Sequence, residues 1–288
     1  MANKLTMEQQ LELMAKLTKD IKNASVTLDD AEARYLVDMY YTVQKYRIAS
    51  QGQIRSIQQA EGKDKEPHEV LLHFLGNFQT IEENIKTVLG VYAKSKPIGR
   101  WLLDITGIGP VIAAGLIAHI DIKKVQTAGQ IQAYAGLDPT KTWEKGQKRP
   151  WNAQLKVLCW KIGESFLKQK NRDTDVYGHI YQAKKDYYIE KNEAGGFKER
   201  AEQILASKKF GKDTEAYKAY SQGKLSAGHI ESMAKRFAVK IFLSHLFTVW
   251  YEMENGVPAP KPYAEAILNH AHIIKPPAAE DWQKYLNA

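Results

Sequence analysis

Two glycines separated by one apolar residue lie between two apolar stretches of helical spacing, where residues 105–110 read Ile-Thr-Gly-Ile-Gly-Pro. Glycine reaches backbone angles closed to other residues and leaves no Cβ between the backbone and a ligand. Pro110 suits the first position of a helix, where its missing N–H costs nothing. The free N–H groups and the positive dipole end of that helix can then bind an anion. The pattern predicts a helix-hairpin-helix.

A phosphate of a nucleic acid is the anion that this hairpin predicts. We expect Thr106, Gly107, Ile108 and Gly109 to form the contact, with Ile108 also anchoring the hairpin in the core. The alternative is a tight turn between two helices that needs glycine only for its geometry.

The charge of the chain favours a polyanionic partner. The 288 residues include 41 Lys and Arg against 33 Asp and Glu, a formal charge of +8. Residues 1–96 carry 13 basic and 13 acidic side chains, so the whole excess lies after residue 96. The half of the chain that contains the hairpin is therefore the half that attracts polyanions.

Basic residues cluster after the hairpin. Residues 136–150 are rich in turn formers and are expected to form an exposed loop, called here the basic loop, and a helix is expected over about 151–170. A later amphipathic helix, about 226–254, carries His229, Arg236 and Lys240 on one face. The expected phosphate-contacting residues are Lys141, Lys145, Lys148, Arg149, Lys156, Arg236 and Lys240, although such runs are also ordinary solvated faces.

Aromatic and histidine residues leave further alternatives open. Trp143 and Trp151 bracket the basic loop and can stack on unpaired bases or pack in the core. His245, His270 and His272 can bind a metal, but no Glu or Cys pattern accompanies them. We therefore expect packing and solvation roles for the histidines, with no metal, no cofactor and no catalytic residue.

Composition sets the broad class. A hydrophobic content of 44% is that of a globular protein, and Cys159 as the only cysteine excludes an intramolecular disulfide. No signal-like stretch is present and no apolar run reaches the about 20 residues of a membrane span. We expect a cytoplasmic protein with no membrane partner and Cys159 as a small core residue.

Helical periodicity extends along nearly the whole chain, so we predict an all-α fold in three parts. Residues 1–96 are expected to form a long helical hairpin, with helices over about 7–23, 28–58 and 67–94. Such a hairpin can serve as an arm, as part of the core or as the contact of a homo-oligomer. The helix-hairpin-helix module is expected over 97–172 and a C-terminal helical region over 173–288. Thr27 and Thr127 are expected to begin helices, each with a partner residue three positions on.

A resemblance rests on the hairpin and on a second motif downstream of it. Leu103–Pro110, Ala113-Ala114, Ala128–Gln130 and Ala133–Pro139 resemble the C-terminal domain of the DEDD-type insertion-sequence transposases, relatives of the Piv and MooV invertases. The similarity covers about residues 99–165, and its most specific part is the hairpin followed by Tyr134-x-Gly136-Leu137-x-Pro139. The resemblance implies a DNA-handling module and a chain encoded by a phage or another mobile element.

Two departures from that family concern catalysis. The family's acidic tetrad lies in an N-terminal RuvC-like domain with strands, whereas residues 1–96 have a helical pattern. The family's nucleophilic serine follows Gly-Leu-x-Pro, but this chain has no serine between Ser95 and Ser165, and Thr142 is the nearest hydroxyl. We therefore expect a non-enzymatic protein that binds duplex or branched DNA, or RNA, with little sequence preference. The alternatives are an active recombinase or nuclease subunit, and a structural assembly protein with no nucleic-acid role.

Overall fold

The chain is all-α, as predicted. A computed structural model describes residues 17–61, 67–261, 274–277 and 282–286, and in them it contains α-helices and short 3-10 turns but no strand. The helices are α1 (Lys19–Ala24), α2 (Asp30–Glu61), α3 (Glu69–Lys94), α4 (Pro97–Asp104), α5 (Pro110–His119), α6 (Ala128–Tyr134), α7 (Ala153–Gln169), α8 (Val176–Glu193), α9 (Lys198–Ser207), α10 (Glu215–Ser221) and α11 (Ala227–Asn255).

The helix starts differ in detail from the sequence prediction. At the start of α2, the Asp29 carboxylate accepts from the Glu32 N–H, and the Glu32 carboxylate accepts from the Asp29 N–H, both at 2.8 Å. This reciprocal capping box replaces the one expected at Thr27. At the start of α6, Thr127 makes no side-chain cap bond, and the Gln130 side chain accepts from the Gln126 N–H instead. At the start of α2 the capping side chain is therefore the Asp29 carboxylate, two residues after the Thr27 hydroxyl that was expected.

The described residues fall into two compact units. Unit 1 is Met1–Leu103 with Gly109–Asp121, and unit 2 is Asp104–Ile108 with Ile122–Ala288. The division of the sequence at residues 96 and 172 stays a prediction. The first predicted turns of helix 7–23, the loop 62–66 and His270 with His272 lie outside the described residues.

Unit 1 is built on the antiparallel pair of α2 and α3. Near the middle of the pair, Arg47 and Gln44 donate to the Glu82 carboxylate. Burial opposes ionisation of Glu82, but these hydrogen bonds outweigh it and hold its pKa below the ordinary value. Helix α5 packs against both members of the pair, and Arg34 of α2 donates to the carbonyl of Ala118.

Unit 2 has an aromatic core where α7, α8 and α11 meet. Phe166, Tyr177 and Phe242 are fully buried, with ring centroids 4.9–5.6 Å apart. Cys159 is buried in α7, as predicted, and burial raises the pKa of its thiol to about 12. No helix in the described ranges is long and apolar enough to cross a membrane.

His245 belongs to this core and has a fixed tautomer. Its Nε2 lies 2.7 Å from the carbonyl oxygen of Ile274, and its Nδ1 lies 2.9 Å from the hydroxyl of Tyr177. Because a carbonyl only accepts, Nε2 carries the proton and Tyr177 donates to Nδ1. Burial lowers the pKa of His245 to about 4, so the folded protein holds this ring neutral.

The lowered pKa predicts that acid weakens the folded state. The unfolded chain takes up a proton at the ordinary histidine pKa of about 6.5, whereas the folded chain resists it down to about 4. Stability is therefore lost as pH falls through this window, by up to about 1.4 kcal/mol per pH unit. His245→Gln should reduce the slope of stability against pH when urea unfolding is followed between pH 6.5 and 5, and leave the part contributed by His119, whose pKa burial also lowers to about 4. An unchanged slope in the variant would contradict the assignment.

Candidate nucleic-acid interface

Gly107 is the position in the hairpin that requires glycine. Its φ is +94°, and a Cβ built there would lie 3.1 Å from the Phe166 ring. The Ser165 hydroxyl donates to the Gly107 carbonyl at 2.6 Å, and the Thr106 hydroxyl donates to that of Thr174 at 2.9 Å. Ile108 is 4% exposed, so the prediction that it is anchored in the core is confirmed. This half of the hairpin is held against α7 by backbone conformation and packing together.

Gly109 has a different role. Its φ of −92° and ψ of 175° are open to every residue, so the expectation that its backbone angles require glycine is wrong. It is the N-cap of α5, followed by Pro110 at the first helical position as predicted, and it offers no side chain as a cap. A Cβ built on Gly109 meets no atom within 4 Å. A side chain at position 109 would therefore meet no neighbour at its Cβ.

The residues after α6 form a tightly built turn. Gly136 has a φ of +67°, and a Cβ there would lie 2.8 Å from Trp151 and from Lys156. The Asn152 N–H donates to the Tyr134 carbonyl and its side chain donates to the Tyr134 hydroxyl, both at 2.9 Å. These contacts clamp both ends of the basic loop, so the Tyr134-x-Gly136 pattern has a geometric reason in this chain.

Asp138 orders the start of the same loop. Its carboxylate accepts from the N–H and the hydroxyl of Thr140, at 2.9 and 2.8 Å. These bonds, together with the nearby Lys141 and Lys240, lower the pKa of Asp138. The loop therefore brings Lys141 into the neighbourhood of α11.

Three cations from three elements gather at the start of α7. Arg149 of the loop, Lys156 of α7 and Arg236 of α11 are all exposed. Burial of the Lys156 stem lowers the pKa of its amine, and Arg149 and Arg236 lower it further. The Lys156 amine lies 4.0 Å from the centre of the Trp151 ring, and the Arg149 guanidinium lies 4.7 Å from that of Trp143. We call Arg149, Lys156 and Arg236 the basic cluster.

Helix packing places Arg236 in the basic cluster. Gly163 of α7 lets α11 approach closely, since a Cβ there would lie 3.3 Å from Lys235. Lys235 itself is paired with Glu164 at 2.5 Å, so its charge is used within the fold. The Gln132 side chain also ties α6 to α11, donating to the Lys240 carbonyl at 3.1 Å. The neighbouring Arg236 is left on the exposed side of α11.

Gly107 of the hairpin and the basic cluster lie on different sides of α7. Lys156 and Ser165 are nine residues apart, which places them on opposite faces and about 13 Å apart along the axis. Lys161 and Lys168 instead share the Ser165 face by helical spacing. Burial lowers the pKa of Lys161, and Lys168 lowers it further. These two lysines belong to the basic run of the helix predicted over about 151–170, but they were not among the expected phosphate contacts.

The remaining predicted residues lie in exposed loops or in contacts within the fold. Lys145 and Lys148 are exposed, as is Thr142. Trp143 is 36% exposed and its ring N–H donates to the Gln147 carbonyl at 2.6 Å, whereas Trp151 is half-buried. Neither indole is fully buried, so both flank the basic loop without belonging to the core.

One comparison with known proteins gives a match. Residues 99–149 match a family described as the IS116/IS110/IS902 transposase family. This segment is transposase-related. It begins before the hairpin and ends at Arg149, so it covers 51 of the 288 residues. No curated protein matches the chain, and no solved structure matches it.

Proposed function

We propose that this chain binds DNA through its phosphates, without catalysis and with little sequence preference, in the service of a mobile element. The family match supports a mobile-element role, because the matched segment is described as a transposase. The segment contains the hairpin and the basic loop, the two features that the sequence marks for phosphate contact. Both features hold and position DNA, and neither performs chemistry on it.

The observation that carries the proposal is the basic cluster. Arg149, Lys156 and Arg236 come from three separate elements, and the two arginines lie close enough to lower the pKa of Lys156 further than its burial alone does. Like charges held together on a surface are relieved by an anion placed between them. The Trp143 and Trp151 rings hold two of the three side chains in place, which reduces the entropy cost of presenting them. A phosphodiester backbone supplies the matching anion.

The helix start at Gly109 supports a separate phosphate contact. The open space at the Cβ position of Gly109 leaves room for a phosphate oxygen beside the first turn of α5. Contacts of this kind position a protein on a duplex but do not read its sequence. An exposed Trp143 adds a surface on which an unpaired base can stack, as at a branch point.

The test is the salt dependence of binding. Fluorescence anisotropy with labelled duplex, branched and single-stranded DNA and with RNA should give a log–log slope near −0.9 per phosphate contacted in duplex DNA. Unrelated duplex sequences should bind within a few-fold of one another. A dissociation constant that does not change between 50 and 200 mM salt would contradict phosphate binding and favour an assembly role.

The family match also favours a second candidate, an active subunit of a recombinase. In that case Thr142, the exposed hydroxyl after the Gly-Leu-x-Pro motif, is the residue that could attack DNA. Labelled DNA incubated with the chain and magnesium, then denatured, should show no covalent protein–DNA band under the non-enzymatic proposal. A band that disappears in Thr142→Ala would establish the second candidate.

A further inference from the structure

One side of the helical pair in unit 1 is uncharged, mostly apolar and mostly exposed. On α2 the residues are Tyr35, Met39, Thr42 and Tyr46, and on α3 they are Val70, Phe74, Asn77 and Ile81. All are exposed except the half-buried Asn77, with Tyr35 67% and Phe74 57% exposed. We call these eight residues the outer face.

Both helices turn the outer face to the same side. Tyr40 and Arg47 of α2 face α3, because both lie beside Glu82. Met39 and Tyr46 of the outer face each come one position before them. On α3, Ile81 precedes Glu82 in the same way. In an antiparallel pair, the same one-residue offset rotates both sets by about 100° toward one side. The stacked rings of Tyr46 and Phe78, 5.8 Å apart, join the two helices there.

The opposite side of the pair is covered within unit 1. Arg34 of α2 donates to the Ala118 carbonyl of α5, and Gly90 of α3 lies against Pro110. Both residues follow an inward-facing position, Ala33 and Leu89, which are fully buried. Helix α5 therefore covers one side of the pair, and the outer face is on the other.

We propose that the outer face binds the outer face of a second copy of this chain, forming a four-helix bundle with its two-fold axis across the helices. The spacing on each helix is four, three and four residues, which is the repeat that interlocks helices as knobs into holes. None of the eight residues is charged, so the face offers nothing to a phosphate. A helical, apolar partner is the one that fits.

The charges at the rim of the outer face select a second copy with antiparallel α2 helices. Asp38 and Lys45 lie seven residues apart on one flank of α2, each one position before a residue of the outer face. A two-fold axis crossing α2 near Thr42 places Asp38 of each copy beside Lys45 of the other. The face is therefore complementary to itself in charge as well as in shape, which is the property of an isologous contact.

Sedimentation of the full chain tests this inference. The wild type should be a dimer at micromolar concentration, and Phe74→Lys with Ile81→Lys should make it a monomer while the helical circular dichroism is kept. Ile48→Lys is the matched control, because Ile48 is 56% exposed on the same helix pair but points to the other side. A wild-type monomer at about 100 µM, or a dimer that survives the double change, would overturn the proposal.

A charge exchange tests the arrangement of the two copies. Asp38→Lys alone and Lys45→Asp alone should each weaken the dimer roughly tenfold, since each creates two like-charge contacts. Asp38→Lys combined with Lys45→Asp should restore the wild-type constant within about threefold. A combined variant as weak as the single ones would show that α2 does not pair with its copy in this direction. DNA binding is measured separately, so the failure of either proposal leaves the other standing.

Discussion

Replacing Arg149, Lys156 and Arg236 together with glutamine should reduce duplex DNA binding by roughly a hundredfold to a thousandfold near 0.1 M salt. Each lysine or arginine that contacts a phosphate contributes about 0.9 to the log–log salt slope, so three contribute about 2.7. The loss should therefore shrink as salt rises and nearly vanish near 1 M. Anisotropy titrations at four salt concentrations measure both the affinity and the slope. The same loss should appear for unrelated duplex sequences.

The control removes the same charge from elsewhere in unit 2. Lys209, Lys212 and Lys218 are not part of the basic cluster, and their replacement by glutamine lowers the net charge of the chain by the same amount. If binding depends only on the overall positive charge, the two triple variants should lose equal affinity. If the basic cluster is the contact, the control should keep a slope close to that of the wild type. A cluster variant with an unchanged slope would leave Arg149, Lys156 and Arg236 as a solvated surface.

The elements of this fold follow from sequence periodicity more readily than the site does. The start of α3 two residues after Pro67 and the stop of α6 before Gly136 are local effects of proline and glycine. The cap at Asp29 was missed because Thr27, two residues earlier, is also a favoured N-cap residue. The spacing of residues in the sequence does not resolve a shift of one or two positions in where a helix begins.

The site depends on side chains that are distant in sequence. Arg236 is brought to Lys156 by the close approach of α11 to Gly163, and no pattern in the sequence encodes that contact. The hairpin and nearly all of the basic loop lie in the segment 99–149. Ser165, which contacts the hairpin, and Lys156, which belongs to the basic cluster, nevertheless lie on opposite faces of α7, because they are nine residues apart in a helix. Sequence reasoning therefore identified the residue types but not their grouping.

The two glycines of the hairpin should differ in how much the same substitution destabilises the fold. Gly107→Thr should lower the free energy of unfolding by roughly 1–3 kcal/mol, because threonine is strained at a φ of +94° and its side chain meets the Phe166 ring. Gly109→Thr should leave the free energy of unfolding within about 0.5 kcal/mol of the wild type. Its backbone is extended, the space is open, and threonine is about as good an N-cap as glycine. Urea unfolding of both variants measures the difference.

The effects of the two substitutions on DNA binding should have the reverse order. Under conditions where both variants are folded, Gly109→Thr should lose more DNA affinity than Gly107→Thr. The hydroxyl of Gly109→Thr would occupy the first-turn N–H groups of α5 and fill the space that a phosphate needs, so DNA affinity should fall roughly tenfold to a hundredfold. The salt slope should stay the same, because no lysine or arginine is removed, and this separates the helix start from the basic cluster. Gly228→Thr provides the control, since Gly228 also lies in the first turn of a helix with open space around it. If Gly109→Thr and Gly228→Thr bind DNA as the wild type does, the hairpin is a structural turn held by Gly107, and the basic cluster alone contacts the phosphates.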